Sequence, residues 1–380
     1  MSIQVEPMTL EQAESLKDAA LASLRFTCPS CGERLDGEVF RRKASPGIIH
    51  FWNEEREDPF ACGACGAEYR WHSGVFDLRT EAAPYQDAET ERAYVAELVD
   101  WSRGMMFPDV VSSYIHTHSR TPVAIKQSAI DNRTHSVPRG QNFLALFDKD
   151  STELGFPAPA PGAKDLGALL DLGCGVCGQL IAARLRAETL VGIDASLTEV
   201  FLGRRHLMDH YVPNAVLAAA NGERLPFADG SFDTVMMRDV VEHLADQRAS
   251  LKEIWRILKP GGRFYLNSPN RYMIWTPEPH TGLYLMGFMP RSKMKAHVAR
   301  KAHTGYDRCR LLGKGELRSM LSALRPRPAR KLLIGSPIPG GHLDAEYKRW
   351  EGTLQSDWFC RLPLVDWIAP EHRALLVKPL

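Results

Sequence analysis

The chain has 380 residues, of which 44% are hydrophobic and 24% are charged, and its formal net charge is +1. This composition is ordinary for a globular protein of two or three domains, and no stretch approaches the 18 consecutive apolar residues that would predict a membrane span. The near-neutral total charge gives no reason to expect a polyanionic partner.

The first twenty residues predict a helix that is rich in acidic side chains. Thr9 stands where an N-cap is expected, and Glu11 lies in the first turn. The segment lacks a basic start followed by an apolar run, so it does not have the pattern of a secretory signal. A reducing, cytoplasmic environment is the corresponding expectation.

Two C-x2-C pairs, Cys28 with Cys31 and Cys62 with Cys65, are separated by 30 residues, and a glycine follows each pair. Such turns direct two thiolates each toward one point, and together they predict a tetrahedral site for a Zn²⁺ ion. Four ligands leave no open position, so the ion is expected to be structural, contributing on the order of 10 kcal/mol to folding. A disulfide or a redox pair is the alternative.

The run from Phe60 to Asp77 resembles the zinc ribbon of the small zinc-binding partner proteins of tRNA methyltransferases. Similar ribbons precede some rRNA guanine methyltransferases. The four remaining cysteines are interpreted as packing residues, with a catalytic thiol at Cys177 as an alternative; they are Cys174, Cys177, Cys309 and Cys360.

Residues 81–154 carry no motif with a recognisable function, although helical periodicity is present over 88–101. His116, His118 and His135 are interpreted as solvated or substrate-facing side chains, and a second metal site is the alternative. A proline-rich stretch over 155–162 then predicts an extended linker.

Residues 168–194 read as strand, glycine-rich turn, helix, strand and acid. The turn contains Gly173, Gly175 and Gly178, and Asp194 ends the second strand. Glycines allow close approach of the backbone to a ligand, the following helix N-terminus offers unpaired N–H groups, and an acid about 20 residues on can accept both hydroxyls of a ribose. The stretch therefore predicts a pocket for an adenosine-containing cofactor.

The segments that follow come in a definite order: LPF and SFD over 225–233, a strand over 234–237, EH at 242–243, a helix, and LKPGG over 258–262. In this order they resemble the class I methyltransferases that depend on S-adenosylmethionine. A dinucleotide-binding Rossmann domain is the alternative. The resemblance implies an α/β fold with a Rossmann-like seven-stranded sheet, here preceded by a four-cysteine zinc ribbon and a mostly helical cap.

The resemblance also implies where the cofactor binds. Asp194 matches the acid on the ribose, and Asn221 stands where the family usually has an Asp that accepts from the adenine amino group. An Asn oxygen can still accept that bond. Arg238, with Asp239 beside it, follows the fourth strand on the sulfonium side. The full set of predicted cofactor-binding residues is Asp171, Gly173, Gly175, Asp194, Asn221, Gly222, Glu223 and Arg238.

A hydroxyl acceptor must lose its proton, and imidazoles titrate near neutral pH. His243 is the first candidate base, with a purely structural role as the alternative, and His280 is the second. His280 belongs to a proline- and aromatic-rich segment that is predicted to shape an acceptor pocket, or else to be an ordered loop. The residues to test there are Asn270, Arg271, Tyr272, Trp275, Glu278 and His280.

Five segments are expected: a helix and ribbon (1–80), a cap (81–162), a cofactor-binding core (163–271), a substrate loop and helix (272–330), and C-terminal strands (331–380). The predicted activity is methyl transfer to oxygen of a small molecule, such as a metabolite, sugar or lipid-linked acceptor.

An RNA methyltransferase is one alternative. The ribbon supports it, as do 13 Lys or Arg against two acids over 291–331, although such a stretch is also typical of a solvated face or of a rim for an anionic small substrate. The near-neutral total charge opposes it, as does the lack of an Asn-Pro-Pro-Tyr type motif after the fourth strand. A protein that binds the cofactor without methylating is the other alternative. Oligomeric state stays open.

Overall fold

The computed structural model describes residues 19–35, 57–80, 87–118, 126–212, 214–301, 309–337 and 348–380, with the single residues 15 and 123. Most of the predicted helix over the first twenty residues lies outside these residues, and the described residues 15, 19 and 20 are helical. Ten strands occur in the described part of the chain: β1 (Glu57–Ala61), β2 (Glu68–His72), β3 (Val75–Asp77), β4 (Gly167–Leu172), β5 (Ala187–Asp194), β6 (Ala215–Ala219), β7 (Phe232–Arg238), β8 (Leu258–Pro269), β9 (Arg330–Ser336) and β10 (Glu371–Val377).

The helices of the described residues fall into a cap, a core set and a C-terminal set. They are α1 (Ala88–Ser102), α2 (Phe107–Thr117), α3 (Lys126–Thr134), α4 (Ser136–Glu153), α5 (Gly178–Ala183), α6 (Leu197–Asp209), α7 (Gln247–Ile257), α8 (Arg291–Lys301), α9 (Lys314–Ser322), α10 (Glu351–Leu354), α11 (Asp357–Cys360) and α12 (Val365–Ile368). One-turn 3-10 helices lie at Val241–His243, Met286–Phe288 and Lys348–Trp350.

All ten strands form one sheet in the order β1-β2-β3-β6-β5-β4-β7-β8-β10-β9. The seven strands from β6 to β9 form the predicted Rossmann-like sheet: β6, β5, β4, β7 and β8 are parallel, and β10 runs antiparallel between β8 and β9. The predicted α/β fold is therefore confirmed. Ligands of such sheets bind at the carboxyl ends of the parallel strands, where the strand order reverses beside β4.

The ribbon strands extend this sheet at its β6 edge. β1, β2 and β3 form an antiparallel meander, and β3 pairs in parallel with β6, with Phe76 opposite Ala218 and Asp77 opposite Ala219. The Leu78 amide continues the ladder by donating to the Ala219 carbonyl at 2.8 Å. The ribbon is thus joined to the core by backbone hydrogen bonds, and it covers an edge that would otherwise expose unpaired groups.

The central strands are apolar because helices or the ribbon cover both faces of the sheet. Leu170 and Val191 face a cluster that includes the ribbon residue Phe26, whereas Leu169 and Leu190 face a cluster that includes cap residues. The helical cap, α1 to α4, packs on α5 and α6. Its closest approach lies at the N-terminus of α5, where a Cβ on Gly178 would come within 2.5 Å of Ser136. The cap therefore holds the end of the glycine-rich turn.

The C-terminal elements agree with the sequence. The segment 272–330, where a helix is predicted, contains α9, and the predicted C-terminal strands correspond to β9 and β10. The segment Lys259–Gly262 lies at the start of β8 rather than outside the strand, where the pairing with β7 shifts register between Phe232 and Thr234.

Candidate functional site

The glycine-rich turn after β4 depends on two glycines in different ways. Gly173 and Gly175 both have positive φ, 76° and 47°. A Cβ on Gly173 would lie 2.1 Å from Cγ2 of Val240, whereas a Cβ on Gly175 would meet nothing within 4 Å. Gly173 is therefore required for packing against the segment after β7, and Gly175 borders open space. Such a space beside the backbone fits the methionine part of the predicted cofactor.

Asp194 ends β5 beside this turn. Its carboxylate accepts from the Gly175 amide at 3.0 Å and from the Ser196 amide at 2.9 Å. Desolvation in the crevice, with the Glu199 carboxylate nearby, raises the pKa of Asp194 to about 6. Because a carboxylate has about four acceptor positions, both oxygens keep capacity for the hydroxyls of a ribose.

Asp171 lies near the end of β4, two residues before Gly173, and is buried. It accepts a hydrogen bond from the side-chain amide of Gln179 at 2.9 Å, and burial raises its pKa to about 7. The hydrogen bond between Asp171 and Gln179 therefore joins β4 to the first turn of α5.

We expect Asp171→Asn to raise the free energy of unfolding at high pH and to leave it almost unchanged at low pH. The folded protein holds the Asp171 proton up to about pH 7, whereas an unfolded chain releases it near pH 4. Stability is therefore lost as the pH rises between these values, and Asn escapes this loss while keeping an acceptor for Gln179. The expected gain in unfolding free energy is about 4 kcal/mol at pH 8 and close to zero at pH 4. Urea unfolding of both proteins at pH 4 and pH 8 measures the gain, and an equal gain at the two pH values would contradict the prediction.

The predicted adenine end of the crevice is connected to the ribbon. The Asn221 side-chain oxygen accepts from the Thr80 amide at 3.1 Å, just after β3. The preceding residue, Arg79, pairs with Glu91, and the Glu91 carboxylate in turn accepts from the Ser196 hydroxyl at 3.2 Å. Sequence reasoning missed Thr80, Arg79 and Glu91, because no local pattern shows that the ribbon reaches this edge.

The segment after Asn221 is packed against the chain that follows β7. A Cβ on Gly222 would lie 2.8 Å from Cδ2 of Leu244. The Glu223 carboxylate accepts from the Ala245 amide at 2.8 Å and from the Asp246 amide at 3.2 Å. Two of the predicted cofactor residues thus also fix the path of the chain just beyond His243.

Charged groups gather where β7, β8 and β10 meet. Arg238 ends β7, and the next residue, Asp239, has a φ of 55°, which is unusual for a residue with a side chain. Glu371 begins β10 and accepts from the Asn267 side chain at 2.6 Å. Desolvation, followed by the charge of Asp239, raises the pKa of Glu371 to about 8. Sequence reasoning missed Glu371, which is an acid at the start of the antiparallel strand opposite the end of β8.

The two predicted base candidates are brought together although 36 residues separate them in the sequence. The Nε2 atoms of His243 and His280 lie 3.1 Å apart. The buried Glu278 accepts from His280 Nδ1 at 2.5 Å, and Cys309 Sγ lies 3.4 Å from the same nitrogen. The interpretation of Cys309 as a packing residue is wrong, because its thiol lies in this polar cluster. Cys174, Cys177 and Cys360 are buried, as packing residues would be.

The other residues of the proline-rich loop have contacts that shape the loop. The Asn270 side chain donates to the carbonyls of Trp367 and Ala369, at 2.9 and 2.8 Å. Arg271 donates to the Gly287 and Met289 carbonyls, at 3.0 and 3.2 Å. Tyr272 packs on Phe288, and Trp275 packs on Phe359. These contacts support the ordered-loop interpretation for these four residues and leave Glu278 and His280 in the polar cluster.

The four ribbon cysteines converge. All four Sγ atoms lie within 4.8 Å of one another. The Sγ–Sγ distance is 3.7 Å between Cys28 and Cys65 and also between Cys31 and Cys62. A tetrahedral Zn²⁺ ion with Zn–S bonds of about 2.3 Å requires Sγ–Sγ distances of about 3.8 Å. The arrangement therefore fits the ion. The Tyr69 hydroxyl lies 3.0 Å from Cys28 Sγ and 2.9 Å from Ser30 Oγ, and it braces the first pair of thiols.

Two of the three cap histidines, His116 and His118, have ordinary local contacts, and so does Arg291 in the basic stretch. His118 stacks on Tyr94 with ring centroids 4.2 Å apart, and His116 Nδ1 lies 2.8 Å from the Ser112 carbonyl. In the described part of the chain, neither histidine belongs to a cluster that could hold a metal ion. In the basic stretch, Arg291 forms an ion pair with Glu316 at 2.7 Å. Residues 302–308 of that stretch lie outside the described residues.

A search of the described helices finds none with the length and apolar character needed to cross a bilayer.

Comparisons with known proteins agree with this geometry. Residues 170–266 match the family model described as a methyltransferase domain. Over 140 residues the chain is 36% identical to a ubiquinone biosynthesis O-methyltransferase of Cereibacter sphaeroides, covering 34% of this chain and 50% of the relative. Over 75 residues it is 43% identical to the ubiquinone/menaquinone biosynthesis C-methyltransferase UbiE of Hahella chejuensis, covering 20% and 29%. The chain thus spans at most about half the length of these curated relatives.

Among solved structures, YcgJ of Bacillus subtilis aligns with 20% identity and a TM-score of 0.39, over 63% of this chain and 99% of that chain. Residues 170–266, which include part of β4 and the parallel strands β5, β6 and β7, are thus similar to a methyltransferase domain. The curated relatives are enzymes of quinone biosynthesis whose names place the methyl group on oxygen in one case and on carbon in the other.

Proposed function

We propose that this protein transfers the methyl group of S-adenosylmethionine to an oxygen atom of a small-molecule acceptor. The observation that carries the proposal is the layout of the crevice. The open turn at Gly175 and the ribose acid Asp194 lie at the ends of β4 and β5, and the His243–His280 pair lies beyond the end of β7. A binding site for the donor and a group that can take a proton thus share one edge of the sheet.

The donor supplies a methyl group that is already activated as a sulfonium, so the protein's tasks are alignment and exclusion of water. We assign the ribose to Asp194 and the adenine to Asn221 with the backbone of Gly222 and Glu223. The methionine part is assigned to the turn of Asp171, Gly173 and Gly175, and the sulfonium side to Arg238. We assign the adenine amino group to Asn221 Oδ1, which also accepts from the Thr80 amide at 3.1 Å.

The acceptor loses its proton at the His243–His280 pair. Glu278 orients His280 and stabilises positive charge on it, as a carboxylate does for a proton-accepting imidazole. An oxygen acceptor needs this step because a hydroxyl is a poor nucleophile until its proton is removed. The similarity to an O-methyltransferase supports oxygen, whereas the similarity to a C-methyltransferase makes carbon the competing acceptor atom.

Formation of S-adenosylhomocysteine, measured with a panel of small phenols, aliphatic alcohols and amines, tests this function. We expect turnover with hydroxyl compounds, and mass spectrometry of the product should place the new methyl group on oxygen. Methylation of carbon or nitrogen, or of added RNA in a salt-sensitive manner, would overturn the assignment of the acceptor. Binding of the donor without turnover of any acceptor would overturn the enzymatic proposal.

We expect Asp194→Ala to weaken S-adenosylmethionine binding at least tenfold, equivalent to about 1.4 kcal/mol, because hydrogen bonds to the ribose are lost. Calorimetric titration measures the change. Asp233→Ala is the matched control, because Asp233 lies at the amino end of the parallel strands, away from the crevice, where its carboxylate accepts from the Ala168 amide at 2.9 Å. An unchanged affinity in the Asp194 variant would contradict the ribose assignment.

The ribbon cysteines are proposed to hold a structural Zn²⁺ ion. The sulfur distances fit a closed tetrahedral site, and four thiolates leave no position for a substrate. The role proposed for the ion is to order the meander of β1, β2 and β3, whose last strand borders the adenine end of the crevice.

A further inference from the structure

The geometry points to a second metal site, formed by His243, His280 and Cys309, which binds a transition-metal ion such as Zn²⁺ with one coordination position open. The site deepens the proposed function and rests on it for its role: the open position would take the acceptor heteroatom. This is a different site from the ribbon, which uses four thiolates and is closed.

The first argument is the distance between the two imidazoles. One ligand atom from each of the three residues lies within 4.8 Å of the others. The Nε2–Nε2 distance of 3.1 Å is close to the edge of about 3.3 Å that a tetrahedral ion with Zn–N bonds of 2.0–2.1 Å requires. Two ring nitrogens at this distance need either a proton or a cation between them, because their lone pairs otherwise repel each other.

The second argument is the surroundings of His280. The carboxylate of Glu278, only 2% exposed, accepts from Nδ1 at 2.5 Å, and its other oxygen accepts from the His280 amide at 3.2 Å. This bond directs the lone pair to Nε2, the atom that faces His243. A carboxylate behind a histidine is the usual support of a metal-ligating imidazole.

The third argument is the thiol. Cys309 is half-buried beside the pair, and its thiol is one of the three converging ligand groups. Its Sγ lies 3.4 Å from His280 Nδ1, the nitrogen bonded to the buried carboxylate, so the thiol must turn toward Nε2 when it binds the ion. The backbone next to it is held in place, because the Arg310 amide donates to the Glu242 carbonyl at 2.7 Å, one residue before His243. Two imidazoles and one thiolate suit Zn²⁺ better than Mg²⁺ or Ca²⁺, which prefer oxygen ligands.

Three ligands converge in the part of the chain that the structure describes, and the fourth position is assigned to the acceptor, as in catalytic zinc sites. With the ion bound, the two imidazoles are ligands and no longer act as the base. An acceptor hydroxyl or thiol bound at the open position would then lose its proton to solvent near neutral pH, because the cation stabilises the anion. The acceptor lone pair then forms a bond to the methyl carbon. The carbon–sulfur bond of the donor breaks with its electron pair remaining on sulfur, which leaves a neutral thioether. The site therefore favours acceptors with a metal-binding oxygen or sulfur.

The test is metal stoichiometry in the full-length protein. The protein is stripped with a chelator under reducing conditions, titrated with Zn²⁺, and analysed for bound metal. We expect two equivalents for the wild type and one for His280→Ala and for Cys309→Ser. His116→Ala, which removes an imidazole bonded to the Ser112 carbonyl, is the matched control and should keep two. With Co²⁺ in place of Zn²⁺, Cys309→Ser should remove the thiolate charge-transfer absorption that accompanies the second equivalent.

One equivalent in the wild type at excess metal would overturn the site, as would two equivalents in all three variants. Circular dichroism of each variant separates loss of a ligand from loss of the fold. The outcome for the proposed function is read independently. If the wild type binds one metal ion and still forms S-adenosylhomocysteine at full rate, the proposed activity is supported with an imidazole as the base, and the second metal site is contradicted. If the wild type binds two metal ions but methylates no acceptor, the second metal site is supported and the proposed methyltransferase activity is contradicted.

Discussion

Replacing Cys28 and Cys62 by serine is expected to release the ribbon ion and to weaken S-adenosylmethionine binding about tenfold or more. A ribbon this small cannot bury enough apolar surface to fold alone, so ligation supplies much of its stability, on the order of 10 kcal/mol. Once β3 loosens, the Thr80 amide no longer fixes Asn221, and Arg79 no longer fixes Glu91. Two such hydrogen bonds at about 1 kcal/mol each account for the expected loss of affinity.

Hydrogen exchange, metal analysis and calorimetry together measure this effect. Exchange should accelerate over 57–80 and also over 215–219, because β6 loses its edge partner. Cys360→Ser is the matched control, since Cys360 is a buried thiol outside the ribbon. If zinc is released while exchange in β6 and affinity for the donor stay at the wild-type level, the ribbon is an independent module.

Much of the core could be predicted because its signals are local. An apolar run, a glycine-rich turn and an acid at the next strand end specify β4, the turn and β5 within about 25 residues, and the structure has these elements where the sequence places them. The final strands β9 and β10 were predictable for the same reason. Each carries its own apolar pattern, and its place in the sheet followed from the resemblance.

The features that sequence reasoning missed are contacts between distant segments. The pairing of β3 with β6 joins chain positions about 140 residues apart, and a hydrogen-bonded edge leaves no composition signal. Cys309 was assigned to packing because it has no cysteine or histidine nearby in the sequence at a ligand spacing. The fold instead places it beside His280. Both histidines were predicted individually, but the Glu278 bond that gives the pair its chemistry becomes visible only when the loop is folded.

Gly175→Ala is expected to remove S-adenosylmethionine binding almost completely while the protein stays folded. Its φ of 47° lies in the left-handed region, so any side chain costs about 1 kcal/mol of stability. The new methyl group meets no protein atom within 4 Å, which means that it projects into the space assigned to the donor. Because the donor must approach the backbone closely there, we expect affinity to fall about a hundredfold or more.

Two other glycines separate the possible causes of that loss. Gly162→Ala has the same kind of conformation, with a φ of 76° and no atom within 4 Å, but Gly162 lies in the linker, so it should lose similar stability and bind the donor normally. Gly173→Ala should lose several kcal/mol, because its Cβ would lie 2.1 Å from Val240. Thermal unfolding and calorimetric titration of the three variants therefore distinguish a blocked pocket from a strained turn. Wild-type affinity in Gly175→Ala would mean that the donor binds elsewhere, since no cofactor could lie against this backbone and tolerate the added methyl group.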